Sequence, residues 1–548
     1  MRLFLILAAA ALALSPLHAA DPTDADIIIY GGTSGAVIAA VQAHKEGKSV
    51  ILVSPDKHLG GLTSGGLGWA DVGKVSLIGG LSKEFFHRVW LHYNDPSAWR
   101  DGIVPKTVRA QTPVGKDDAG QLMYVFEPHV AESIFNQFVA ENKIPVVHAR
   151  LDLANGVMKE GDRITGLRVE DGRVFHGKVF IDASYEGDLM ARAGVSYTVG
   201  REASSQYGES LNGVQVKLAT KNQLPPGIDP YVREGDPSSG LLPGVNPLTP
   251  QPDGSDDKKI QAYCYRMCLT SAPDHRVDVA KPVGYRDEDY ELLFRAIEAE
   301  SKLKAGAKAD FFKLDPMPNR KTDSNNEDGI STDDIGMNYD YPDAAYATRD
   351  KIALAHRNWQ LGLLWALQNS PRVPEAIRAS YAKWGLPDDE FTDNDHWPYA
   401  FYIREARRMV GDFVLTQRVL SEGLPAQRPV GVGSYTMDSH NVQRLVGSDG
   451  FVHNEGDVQK PVKHPYQIDY GALLPRRAEC ENLLVTFDVS ATHIAFGSVR
   501  MESVFMILSQ SAADAASLAI DDKVAVQDVP YDKLHAQLIA DGQKLEVK

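Results

Sequence analysis

The stretch D-I-I-I-Y-G-G-T-S-G-A, from Asp26 to Ala36, decides the fold. Ile27 to Tyr30 is an unbroken β-branched and aromatic run, the composition of a strand covered on both faces in a parallel sheet. Gly31, Gly32 and Gly35 then punctuate the chain, and Ala36 to Glu46 is alanine-rich with helical potential. Gly47 ends that helix, and S-V-I-L-V from Ser49 to Val53 predicts a second strand. The unit is about 30 residues long, the size of a nucleotide-binding βαβ motif.

A dinucleotide fingerprint uses one glycine for a tight turn, a second for close approach of a pyrophosphate and a third for packing of the helix. Gly32 and Gly35 take the second and third places, while Tyr30 stands at the first and Gly31 beside it supplies the flexible turn. The N–H groups that open the helix, from Ser34 to Ala36, then face an anion. Ser54 stands where an acid normally holds the ribose hydroxyls, with Asp56 two residues on. Alone, this pattern also fits a glycine turn in an unrelated α/β fold. The next segment narrows it: L-G-G-L-T-S-G-G-L-G-W, Leu59 to Trp69, is dense in glycine and predicts positive φ or close backbone contact. A nicotinamide domain has no use for that loop, whereas FAD extends past its pyrophosphate and needs a backbone surface. Gly60, Gly61, Leu62 and Thr63 are its candidate contacts.

The 548 residues are 43% hydrophobic and 24% charged, enough for two or three packed domains and unlike a disordered or disulfide-framework chain. A net charge of −16 gains nothing from counterion release, which argues against a nucleic-acid partner. Residues 1–20 have the layout of a signal peptide: Met1-Arg2, an apolar run from Leu3 to Leu14, and small residues at Ala19-Ala20. An uncleaved anchor is the alternative. Cleavage predicts a periplasmic or secreted protein with no transmembrane segment left. The three cysteines, Cys264, Cys268 and Cys480, are too few for a disulfide framework or a cubane cluster and read as ordinary buried thiols. No metal is expected.

Further along, Val125 to Val147 predicts a helix and then a strand, and Val174 to Ile181 alternates as strands do. Gln223 to Asp257, rich in Pro, Gly, Asp and Ser, predicts a long loop, either a lid or a linker. Helices are predicted over Arg349–Leu367, Phe401–Leu420 and Val504–Ile520.

Seven further stretches carry a family resemblance: His58–Trp69, Ile78–Phe86, Phe126–Glu132, Phe180–Leu189, Tyr402–Asp412, Met437–Arg444 and Thr492–Met506. With Asp26–Ala36 they resemble the FAD-dependent oxidoreductases of the glutathione-reductase and fumarate-reductase superfamily. More narrowly they resemble a secreted bacterial branch whose members are often labelled putative xanthan lyase. The resemblance implies an α/β fold with a doubly wound, Rossmann-like FAD domain of the glutathione-reductase type. Residues 21–199 and 431–548 would form that domain, and 200–430 an inserted α+β substrate domain. It places Asp182, Ala183 and Ser184 by the pyrophosphate and Asp488 on the ribityl hydroxyls. A helix starting at Met501 and Glu502 would point at the flavin N1–C2=O edge.

The implied activity is oxidation of an organic substrate, carbohydrate being the class that export and the labels suggest, by hydride transfer to flavin N5. The electron acceptor is left open between oxygen, a quinone and a small carrier. His440 and His493 are the candidate bases. Arg500 and Arg404 are candidate clamps for a substrate carboxylate, and His58 a candidate for covalent flavin attachment. The rival reading is a polysaccharide lyase that keeps the flavin fold and works through Tyr435, His440 and Arg444.

Overall fold

A computed structural model describes residues 22–100, 107–109, 112–113, 121–247, 251–303 and 311–547; the expected leader, residues 1–20, lies outside them. Five strands, β1 (Ile27–Tyr30), β2 (Val50–Ser54), β3 (Val146–His148), β4 (Val179–Asp182) and β5 (Leu483–Val485), form one parallel sheet in the order β5-β4-β1-β2-β3. Ile27 is in register with Val50 on one side and Val179 on the other. Every residue of β1, β2, β4 and β5 is buried, as their unbroken apolar runs require. The strand order reverses at β1, so a crevice opens at the carboxyl ends of β1 and β4, where ligands bind in such sheets.

One face of the sheet is covered by α1 (Ser34–Lys45), α2 (Gly80–Asn94), α3 (Pro128–Glu141) and α5 (Glu502–Asp522), which share a core with Ile27, Ile29, Leu52 and Ile181. Gly35 is fixed by packing: a Cβ there would stand 2.3 Å from Ser509 Oγ and 3.1 Å from the Phe505 carbonyl, both on α5. The third glycine of the fingerprint thus lets two helices touch. Among the described residues α5 is the one helix long and apolar enough to cross a membrane, yet it is packed inside the protein. The opposite face corrects the expectation of helices on both sides. It carries an antiparallel β-meander, Val157–Glu160, Arg163–Arg168 and Val174–Phe175, whose Ile164, Leu167 and Phe175 pack on Ile28, Ile51 and Phe180.

The inserted region has its own core around α4 (Tyr346–Asn369) and a three-stranded antiparallel sheet, Met267–Thr270, Phe312–Pro316 and Lys321–Asn326. Gln443–Val446 pairs with Val245–Asn246 and therefore belongs with this region, whereas Pro429–Gly433 pairs with Tyr466–Asp469. The predicted helices at 349–367 and 504–520 are present within α4 and α5. Residues 223–257 are largely irregular, with residues 248–250 outside the described set.

Phe401–Leu420 is not a helix. It runs extended through Arg408–Met409, and helix forms only at Gln417–Glu422. Arg404, Arg407 and Arg408 are each at most 1% exposed. They reach Asp333 at 2.8 Å, Asp188 at 2.8 Å and Glu202 at 2.5 Å. A helix would hold 404, 407 and 408 on one face, three and four residues apart. An extended chain sends them to separate carboxylates. All three cysteines are buried and unpaired, and Cys264 accepts from Arg404 Nη2 at 3.2 Å.

Asp188 neutralises two buried cations, Arg349 at 2.6 Å and Arg407 at 2.8 Å. Asp188→Ala strands Arg349 and leaves Arg407 only Asp343, at 3.0 Å, as a carboxylate partner, so the variant should lose about 3–5 kcal/mol in urea unfolding, more than the conservative Asp188→Asn.

Candidate active site

Two clefts bear on the site. The first, about 480 Å³, is floored by Tyr30 to Thr33 at the end of β1 and walled by Pro55 to His58 after β2, Gly61 and Gly65 of the glycine loop, and Ser184 to Glu186 after β4. Gly31 has φ +135°, and a Cβ there would lie 2.4 Å from the Ala183 carbonyl; one on Gly32 would lie 2.3 Å from Ser54 Oγ. The floor is therefore bare backbone. Thr33 caps α1, donating to the Ala183 carbonyl at 2.7 Å and accepting from Ala36 N–H at 3.1 Å. The helix begins directly after this floor, although Ser34, Gly35 and Ala36 do not themselves line the cleft. Arg150 and Arg349 also line the walls, paired with Asp350 at 3.2 Å and Asp188 at 2.6 Å. Burial pushes Glu186 up to about 7 against the pull of Arg349.

Glu502, at the start of α5, ties the glycine segments together. Its Oε2 accepts from Ser34 Oγ at 2.6 Å and Thr63 Oγ1 at 2.7 Å, and its Oε1 from Tyr185 OH at 2.7 Å. Tyr185 OH also accepts from Leu62 N–H at 2.8 Å. Met501 is the N-cap residue of α5. Gly60 (φ +109°) and Gly61 (φ +56°) turn the loop as their residue type suggests. Ser54 spends its hydroxyl on the Asp56 carbonyl at 2.7 Å and faces Gly32, so Asp56 is the acid exposed at this end of the cleft. Asp182 is internal: it accepts from Ser184 N–H at 3.0 Å, Ser184 Oγ at 2.7 Å and Met190 N–H at 2.8 Å, and burial lifts it to about 6. Asp488 is 1% exposed, lies against Gly187, and its Oδ2 has no hydrogen-bond partner among the described residues.

The second cleft, about 660 Å³, is polar. The extended segment at 399–404 separates the two: Phe401 and Ile403 line the first, and Tyr402 between them lines the second. His440 stands in the second cleft with its Nδ1 at 2.7 Å from Asp333 Oδ2 and its Nε2 at 3.5 Å from Asp438 Oδ2. Arg500 joins this group, donating to Tyr402 OH at 2.6 Å and to Asp438 Oδ2 at 3.2 Å. Burial would raise Asp438, but His440 and Arg500 hold it well below the usual carboxylate range. Tyr435 lines this cleft, while Arg444 is buried and donates to the Gly329 carbonyl at 3.3 Å.

His493 is elsewhere. It is 2% exposed, lines neither cleft, and contacts Glu405 at 2.7 Å and Ser439 Oγ at 3.0 Å. Arg404 is committed to Asp333. His58 stacks on Tyr399 at 3.5 Å and contacts Glu132 at 2.7 Å and Asp393 at 3.3 Å at the rim of the first cleft.

Compared with known proteins, residues 26–538 match the family described as FAD dependent oxidoreductase. The chain belongs to that family. This oxidoreductase is an enzyme, and its cofactor is FAD. No curated protein sequence matches it. Among solved structures it is similar to a flavin-containing monooxygenase from Stenotrophomonas maltophilia, at 16% identity over 35% of this chain and 45% of that one, with a TM-score of 0.19. It is also similar to an L-proline dehydrogenase from P. horikoshii, at 15% identity over 33% and 59% with a TM-score of 0.22. An L-amino acid deaminase from Proteus vulgaris aligns at 14% identity over 34% and 54%, with a TM-score of 0.23. The oxidoreductase thus spans about half the length of these structures.

The first cleft suits the cofactor. Its bare glycine floor, ending where α1 begins, would hold a pyrophosphate and Asp56 a ribose hydroxyl, whereas Asp488, with its unpartnered Oδ2, does not line this cleft. Arg150, Glu186, Tyr341, Tyr346 and Arg349 also line it, and their positions carried no local motif. The wall at 401–404 did leave a signal in its apolar–polar alternation, which a helix reading discards.

Gly32→Val drives a side chain into Ser54, and the purified variant should hold less than about a tenth of the wild-type flavin per protein by absorbance. Burial, Arg408 and Arg201 depress His493 to about 3 from an ordinary 6.5. Between those values the unfolded chain binds a proton that the folded one refuses. Stability is therefore full above pH 6.5 and falls as pH drops through this window. His493→Gln should flatten the slope of unfolding free energy against pH in that range.

Proposed function

We propose that this oxidoreductase is an exported enzyme that oxidises an organic substrate at a hydroxyl-bearing carbon by hydride transfer to flavin N5, with His440 as the base. Its FAD domain would be of the glutathione-reductase type, in line with the strand order β5-β4-β1-β2-β3 and the β-meander on one face. Accepting the hydride at N5 is the chemistry that FAD supplies when bound. The Met1–Ala20 pattern supports export.

One observation carries the reading: His440 is gripped through Nδ1 by a buried carboxylate and stands in a polar cleft. With Nδ1–H donated to Asp333, Nε2, 3.5 Å from Asp438 Oδ2, is the ring nitrogen that would take the substrate hydroxyl proton. Against the push of burial, Arg404 and His440 keep Asp333 below the usual carboxylate range, so it stays ionised and stabilises the imidazolium that forms. Arg500, held by Tyr402 and Asp438, fixes the wall beside that histidine. Electrons then leave to oxygen, a quinone or a small carrier. The lyase alternative needs an arginine on a substrate carboxylate, and its candidate Arg444 lines neither cleft.

Anaerobic mixing with substrate should bleach the flavin bands. His440→Asn should slow that bleaching by about 10²–10⁴-fold while leaving the flavin content and resting spectrum unchanged. Equal rates in the variant and the wild type would remove His440 from the chemistry.

A further inference from the structure

We propose that Glu46, Asp514 and Asp541 form a binding site for calcium, and that the ion fastens the helix Tyr531–Ala540 to the packed pair α1 and α5. The three residues line neither cleft, so the inference stands apart from the hydride-transfer reading. Each offers one carboxylate oxygen, and these oxygens lie within 4.8 Å of one another. Oxygens that one calcium ion holds at about 2.3–2.6 Å are at most about 5 Å apart, so the spacing admits a shared ion. Positions 46, 514 and 541 form no ligand spacing along the chain, which is why no metal is expected from the sequence alone.

The arrangement is electrostatically unfavourable as it stands. Glu46 is the C-cap residue of α1 and Asp541 that of the helix Tyr531–Ala540. An acid there faces the negative end of a helix dipole. Between these two stands Asp514, wholly buried in α5.

The hydrogen-bond donors that meet the three acids are neutral. Gln42 Nε2 lies 2.7 Å from Asp514 Oδ1, 3.0 Å from Asp541 Oδ2 and 3.2 Å from Glu46 Oε1, three acceptors for two hydrogens. Gln537 Nε2 donates again to Glu46 Oε1 at 2.9 Å and to Asp541 Oδ2 at 2.8 Å. The second oxygen of Asp514, Oδ2, is buried with no hydrogen-bond partner among the described residues. A buried carboxylate oxygen needs a donor or a cation, and this one has neither. Burial and the adjoining Asp541 push Asp514 well above the usual carboxylate range.

No lysine or arginine pairs with the three among the described residues. Lys48 is bound to Asp521 at 2.7 Å, Arg88 to Glu84 and Glu141 at 2.9 and 2.8 Å, and Lys45 is exposed. Gln42 and Asp541 also line a surface cleft of about 330 Å³, an entry path for the ion and the waters that complete its shell. Calcium accepts an irregular set of carboxylates from separate segments, whereas magnesium demands a near-ideal octahedron and sheds water reluctantly.

The test is calorimetric titration of the chelator-treated holoenzyme with calcium chloride, and separately with magnesium chloride, at constant ionic strength. Hydrogen exchange across Tyr531–Ala540 is followed in parallel. The expected result is about one calcium per chain with a Kd of roughly 10⁻⁵–10⁻³ M, and slower exchange across that helix. Glu46→Gln and Asp541→Asn, both at partly exposed helix ends, should each weaken binding by about tenfold or more. Flavin absorbance equal to wild type shows that a variant is folded. Absence of calcium binding at millimolar concentration overturns the inference and leaves the three acids to a bound proton. Binding that is equally tight in wild type and both variants overturns it too, as does unchanged exchange across the helix or tighter binding of magnesium.

Discussion

The carboxylate of Glu502 is the constraint on which the cofactor side of the molecule depends. It is 6% exposed, and such a group is tolerable only when its oxygens are met by donors. Ser34, Thr63 and Tyr185 meet them, from the first turn of α1, the glycine loop and the segment after β4. Four stretches of chain, at residues 34, 63, 185 and 502, are thereby held around one acid. Close packing of α1 on α5 at Gly35 follows, since both helices start at this point. So does the shape of the first cleft, whose floor and loop wall are two of the tied segments.

A second set of buried charges fastens the inserted region to the sheet. Asp188 follows β4, yet its partners Arg349 and Arg407 come from α4 and from the extended 401–410 segment. Arg201, 2% exposed, holds Asp257 and Glu455 at 2.6 and 2.7 Å, and Arg408 reaches Glu202. Buried ion pairs contribute little net stability against their desolvation, but breaking one is severe, so they specify a single arrangement more than they strengthen it. That arrangement is what matters to the chemistry. The same extended segment that carries these arginines forms the wall between the two clefts, so satisfying its charges also sets their separation.

The clefts differ in lining. One presents bare glycine backbone at the start of a helix, with arginines and carboxylates around it. The other presents amides, carboxylates and aromatic rings around a histidine whose Nδ1 is fixed. Away from both clefts, where Glu127, His129, Asp389 and Glu390 come together, Lys321 Nζ stands at 2.6–2.9 Å from the three carboxylates.

The sequence by itself determined what depends on neighbours along the chain. The run Ile27–Tyr30 had to be a buried strand, Gly31 and Gly32 had to turn where side chains cannot go, and the α4 and α5 periodicities are local. The FAD assignment rested on those same local stretches. Only tertiary structure decided the rest. Ser54 and Asp182 look like cofactor ligands by position but turn inward to satisfy backbone, whereas Asp56 and Glu186 face the cleft. His440 and His493 are equivalent as letters. One lines a polar cleft beside Asp333, the other is sealed among Glu405, Arg408 and Arg201, and burial alone separates them. The helix expected at 401–420 failed for the same reason: propensity is a matter of tenths of a kcal/mol per residue, while three buried arginines must each find a carboxylate supplied by distant chain, and that requirement is far larger.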